Sequence, residues 1–116
     1  MFGFLRDMYK NTMTDNRVKT AKDPNIQRML DYMYDTYGAS IEAFFFDGKL
    51  SYHVCCGGKD TFDLLFQHGL FEGSSIRIPG MGSWFDSKVE AFQALLWLYD
   101  FLEEKRTDRH LDDIYF

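Results

Sequence analysis

Two adjacent residues, Asp47-Gly48, constrain this chain more than any other feature. They lie between two alternating runs, and the pair tolerates the positive φ that a two-residue β-turn requires. The turn predicts a hairpin over 40–56 in which Phe46 opposes Lys49, Phe45 opposes Leu50, and Glu42 opposes His53. One face then holds Ile41, Ala43, Phe45, Leu50, Tyr52 and Val54, all apolar. The other holds Ser40, Glu42, Phe44, Phe46, Lys49, Ser51, His53 and Cys55. A one-residue slip would mix the two sets, so the turn and the pattern specify one register. The apolar face is expected to be core.

Helical signals flank the hairpin. Asp23-Pro24 supplies an N-cap and a proline at the first helical position. Ile26, Met29, Leu30, Met33, Tyr34 and Tyr37 follow as one stripe, and Gly38 ends it. This spacing predicts a helix over 24–37. Asp60 is expected to cap a short inserted helix to about His68. Ser74–Pro79 reads as a third strand, with Ile76 and Ile78 facing one way. Ser87-Lys88-Val89-Glu90 matches a capping box and opens a helix to about Arg106. On it Ala91, Leu95, Leu98 and Leu102 form the core stripe, flanked by Phe92, Leu96 and Tyr99. Phe2, Leu5 and Tyr9 share one face of a short N-terminal helix.

These elements make an α+β domain: a three-stranded antiparallel sheet packed on two main helices, with short N-terminal and inserted helices. Residues 1–22 form an N-terminal helix and polar basic segment, 23–106 the domain, and 107–116 a tail that packs back. The expected core is Ile26, Leu30, Met33, Ile41, Phe45, Leu50, Tyr52, Val54, Ile76, Ile78, Leu95, Leu98 and Leu102. At 116 residues, one such core is attainable without disulfides or metal. The longest apolar run, Ala94–Tyr99, is far short of a membrane span. Arg6 and Asp7 interrupt the apolar start, so no signal-peptide core is expected. A cytoplasmic location follows as the expectation.

Charge is uneven. Residues 1–28 carry six Lys/Arg against three Asp, and residues 29–116 carry seven against fifteen, a net −8. An acidic body suits a basic partner surface and disfavours phosphate backbones. Cys55 and Cys56 are adjacent and point to opposite faces of a strand, so a bridge between them would be strained. No CxxC or second Cys/His cluster suggests zinc, and free thiols in a reducing compartment are expected; no cofactor or metal is assigned.

The aromatic fraction, 18%, exceeds what one small core needs. On the last helix Trp97 sits among Gln93, Asp100 and Glu104, with Phe101 adjoining. Tryptophan in a polar face marks either intramolecular cover or a binding anchor. Trp97 and Phe101 are therefore candidate partner-binding residues, with Asp100, Glu103 and Glu104 steering association. Phe44 and Phe46 on the second hairpin face are candidates of the same kind, unless a second layer covers them. Glu42 beside His53 predicts a cross-strand ion pair that raises the histidine's pKa, and Cys55 lies two residues along. That grouping does not place a base in line with a thiol, so no catalytic residue is assigned. Gly57-Gly58-Lys59-Asp60 reads as a plain turn.

The order helix 24–37, strands 40–47, 49–56 and 74–79, helix 87–106 resembles double-stranded-RNA-binding domains. Asp23-Pro24, Gly57-Gly58-Lys59 and Ser87-Lys88-Val89-Glu90-Ala91 are similar to that family's pattern. The resemblance implies α-β-β-β-α topology. Where the family places several lysines to grip phosphate, this chain has only Lys88, and 60–73 is an insertion. By size, acidity and aromatic content the chain also resembles small phage-encoded inhibitors of bacterial defence, such as anti-CRISPR proteins. The expected function is a non-catalytic module that occludes a basic surface of a larger host protein, with a homodimer as another use of the same aromatics. The alternative is nucleic-acid binding through Arg17, Lys19 and Lys22.

Overall fold

The computed structural model describes residues 16–115, so the expected helix over 2–9 lies outside the described residues. Helix α1 spans Pro24–Tyr37, with the Asp23 carboxylate accepting from the Asn25 N–H at 2.8 Å. Gly38 closes it in the left-handed region at φ 68°, its N–H donating to Met33 and Tyr34 carbonyls. Strands β1 (Ala39–Phe46) and β2 (Lys49–Cys56) pair antiparallel in the register that Asp47-Gly48 dictates, including Glu42 opposite His53. Both turn residues have positive φ, 52° and 74°.

Helix α2 covers Lys59–Gln67, and its N-cap, Gly58, offers no side-chain cap and stands two residues before the Asp60 expected to cap it. Helix α3 runs over Lys88–Tyr115. At its start, the Glu90 N–H donates to Ser87 Oγ and the Glu90 carboxylate accepts from the Asp86 N–H. The helix does not stop at Arg106. Residues 107–115, read from sequence as a returning tail, continue it.

The architecture is α+β, but there is no three-stranded sheet among the described residues. Strands β3 (Phe71–Glu72) and β4 (Ser75–Ile76) form a separate two-stranded ladder. The run expected over 74–79 is cut short because Ile78 turns back on Gly82, and Pro79 has no N–H for a ladder. The edges of the hairpin are met by other backbone. On β1, the Val18 N–H donates to the Ile41 carbonyl at 2.8 Å and Asn16 accepts from the Ala43 N–H. On β2, Tyr52 and Phe85 exchange both hydrogen bonds, at 2.8 and 2.7 Å. Single residues satisfy these edges where the sequence suggested a whole strand.

The core lies between the hairpin's apolar face and the two long helices. Met33, Ile41, Val54, Ile76, Ile78, Leu95, Leu98 and Leu102 are essentially inaccessible, joined by Leu30, Tyr52, Leu65, Leu70 and Phe85. Two expected core residues are not there: Phe45 is 78% exposed and Leu50 36%. Burial along the hairpin fades beyond Ile41 and Tyr52, so its tip projects past the helices. Leu96, expected to flank the core stripe, is also exposed. No helix among the described residues is long and apolar enough to cross a membrane.

Candidate functional site

The hairpin's second face is built by alternation. Ser40, Glu42 and Phe44 on β1 stand opposite Cys55, His53 and Ser51 on β2. The Tyr52–Phe85 exchange holds the loop before α3 beside β2. Phe85 is buried in the core, while its neighbour Trp84 lies flat on the His53 imidazole, centroids 4.5 Å apart and planes 2° from parallel. Phe44 meets the same imidazole edge-on at 5.2 Å and Trp84 at 6.3 Å. On its remaining side, His53 Nδ1 is 2.7 Å from the buried Ser75 Oγ of β4.

His53 is therefore only 6% exposed. Its Nε2 lies 3.6 Å from Glu42 Oε2, beyond hydrogen-bond range, and is buried with no hydrogen-bond partner among the described residues. Burial lowers the His53 pKa below its ordinary value, and the neighbouring Glu42 carboxylate only partly opposes this. The expectation of a raised histidine pKa is reversed, because the Trp84 and Phe44 rings remove the water that would solvate an imidazolium. Cys55 and Cys56 are both unbridged. Burial pushes the Cys55 thiol up to about 12, with Ser40 Oγ at 3.5 Å partly offsetting it. Cys56 points the other way, its thiol against the Tyr37 and Gly58 carbonyls at 3.6 Å. An open cavity of about 310 Å³ adjoins the cluster, lined by Arg17, Tyr34, Ser40, Glu42, Cys55 and Cys56 among others.

A second cavity, about 590 Å³ and mainly apolar, opens at the hairpin tip between Phe44, Phe45, Ser51 and Trp84. Trp84 is 53% exposed, and Phe44 is half-buried beneath it. Phe46 belongs to β1, and its side chain lies outside the described residues.

The last helix divides the other candidates. Trp97 and Phe101 stack on each other, centroids 5.3 Å apart, and are half-buried against the core. His68 from the end of α2 abuts Phe101 edge-on, and Lys105 Nζ lies 5.5 Å from its ring centroid. Glu103 does not face solvent as a steering charge. It accepts hydrogen bonds from the Tyr32 and Tyr37 hydroxyls of α1. Asp100 and Glu104 are exposed. Of the basic candidates, Arg17 is half-buried with its guanidinium 3.8 Å over the Tyr34 ring, whereas Lys19 and Lys22 are exposed.

The structure thus brings together Phe44 with His53, and Trp97 with Phe101, as separate groups. Sequence reasoning missed Trp84 and Ser75. The alternation of Trp84 and Phe85 in a short extended run was the available signal for the first; nothing local marked the second. No family model, no curated protein and no solved structure matches this chain.

Proposed function

We propose that the protein is a non-catalytic binding module that occludes a surface of a larger protein, docking through the hairpin tip and Trp84. The observation that carries this reading is the open aromatic tip, where Phe45 at 78% exposure and Trp84 at 53% line one apolar cavity. Large apolar residues grouped in the open are uncommon on monomers, and Trp is a preferred anchor in partner pockets. Trp97 and Phe101 suit the role less, since each already covers the other. The partner is a protein whose surface offers an apolar pocket rimmed by Lys and Arg, matching the −8 charge of residues 29–116. Small acidic phage-encoded inhibitors of host defence proteins are the class of binder this description fits. A non-catalytic role agrees with a Cys55 thiol pushed up to about 12, which makes a poor nucleophile at neutral pH.

The test compares wild type, Phe45→Ser and Trp97→Ala as baits in bacterial lysate, with light scattering on each. A partner is expected to be held by wild type and Trp97→Ala and weakened at least ~30-fold by Phe45→Ser, the size of a ~2 kcal/mol hot-spot loss. Equal capture by Phe45→Ser would move the docking face elsewhere. A monomer that captures nothing would sink the binding reading itself, and a dimer abolished by Phe45→Ser would replace it with self-association.

A further inference from the structure

We infer that Glu42, His53 and Cys55 form a binding site for a thiophilic divalent cation of the zinc class. One donor atom from each residue lies within 4.8 Å of the others. The spacing of the first two is informative. His53 Nε2 and Glu42 Oε2 are 3.6 Å apart, too far for a hydrogen bond, yet close to the ~3.5 Å that separates ligands around tetrahedral zinc at ordinary bond lengths. A buried ring nitrogen without a partner is rare in a folded protein, and here it is aimed at a carboxylate. A cation between the two would satisfy both.

The surroundings are those of a supported ligand rather than a stray histidine. Ser75 Oγ, 2.7 Å from Nδ1, can accept the proton of that nitrogen, which leaves the Nε2 lone pair facing Glu42. Trp84 and Phe44 fix the plane of the ring from two sides and keep water from it. The hairpin register supplies the rest: His53 and Cys55 are two apart on one strand, and Glu42 stands opposite, so all three share one face. Cys55 is not committed to a bridge, and its neighbour Cys56 is turned toward the Tyr37 and Gly58 carbonyls.

The donor set selects the metal. One sulfur, one imidazole nitrogen and one carboxylate oxygen suit zinc and its close analogues, whereas calcium and magnesium require oxygen ligands throughout. Three protein ligands leave a fourth position. Glu42 and Cys55 both line the 310 Å³ cavity, so that position opens toward Arg17, Tyr34 and Ser40 and takes water or a small anion. On binding, the Cys55 thiol proton passes to water and the thiolate sulfur bonds the metal. The site does not depend on the docking role proposed above.

The experiment uses the full chain, stripped with a chelator, with Co²⁺ as the spectroscopic probe and Zn²⁺ as competitor. One equivalent of Co²⁺ is expected to give tetrahedral d–d bands and a thiolate-to-cobalt charge-transfer band, both erased by Zn²⁺. Cys55→Ser should abolish the charge-transfer band while Cys56→Ser keeps it. Ser75→Ala, acting only through the imidazole, should weaken Co²⁺ binding roughly tenfold. Glu42→Gln, on a half-buried side chain, should weaken binding at least as much, and it serves if Cys55→Ser fails to fold by circular dichroism. A spectrum that stays that of hydrated Co²⁺, or a charge-transfer band that survives in Cys55→Ser, would overturn the site.

Discussion

Glycine separates positions that look alike in sequence. Gly38 and Gly48 both have positive φ, 68° and 74°. At Gly48 a Cβ would meet open space, but at Gly38 it would lie 2.7 Å from the Gly58 backbone nitrogen. The end of α1 and the turn after β2 touch there through backbone alone, sealed by the Gly57 N–H donating to the Gly38 carbonyl at 2.9 Å. Gly48→Ala should therefore cost only the left-handed strain, ~1–2 kcal/mol. Gly38→Ala adds an overpacking cost, for a total of ~2–5 kcal/mol. Urea unfolding of the two variants checks the difference, and equal losses would mean the backbones do not meet. The Gly38 stop was legible in sequence, but its partner across the fold was not. Phe45 shows the same limit in reverse. Alternation names the face a residue occupies, not how far along the strand the helices reach.

Local elements were the most legible part of the molecule. Helix α1 and the hairpin register follow from caps, a stripe and a two-residue turn, all of which act within a few residues. The third strand failed because pairing over 74–79 depends on what approaches the β2 edge, and there Phe85 arrives first. Contacts between elements were equally hidden. Nothing in the sequence pairs Glu103 with Tyr32 and Tyr37, although these bonds tie α1 to α3. They carry a pH signature. The Tyr32 pKa is raised, chiefly by its hydrogen bond to Glu103; that of Tyr37 is raised by burial first and the same carboxylate second. Unfolded tyrosines release their protons near pH ~10 while the folded ones keep them. The stability these groups contribute is thus whole below about pH 10 and lost as the pH rises past it. A Tyr32→Phe/Tyr37→Phe variant should show a shallower fall in urea midpoint between neutral and alkaline pH than wild type. Parallel falls would place the tyrosine protons elsewhere in the balance.

At the scale of the whole molecule, charge decides between partners. Residues 29–116 carry −8 and residues 1–28, with six of the cations, carry +3, a division visible in the sequence. What the sequence withheld is how many of those cations are already engaged. Arg17 lies over Tyr34 while its backbone pairs with Glu42, and Lys59, which falls in the Gly-Gly-Lys turn of the RNA-binding pattern, is ion-paired with Asp63 at 2.8 Å. Lys88 stands at the start of α3 beside an exposed Val89 and, two residues on, Glu90. Among the described residues of that segment, Lys19, Lys22 and Arg28 are exposed, and three phosphate contacts give little counterion release, a log–log salt slope of only about −3 on duplex DNA. The expected outcome is no shift of duplex RNA or DNA in a low-salt gel titration carried to tens of micromolar protein. A shift with a slope steeper than about −4, relieved by Lys19→Glu/Lys22→Glu, would show that phosphate is gripped by more of the basic segment than this surface presents. The acidic body would then be the far side of a nucleic-acid-binding protein rather than the complement of a basic one, and the hairpin tip would lose its claim to be the docking face.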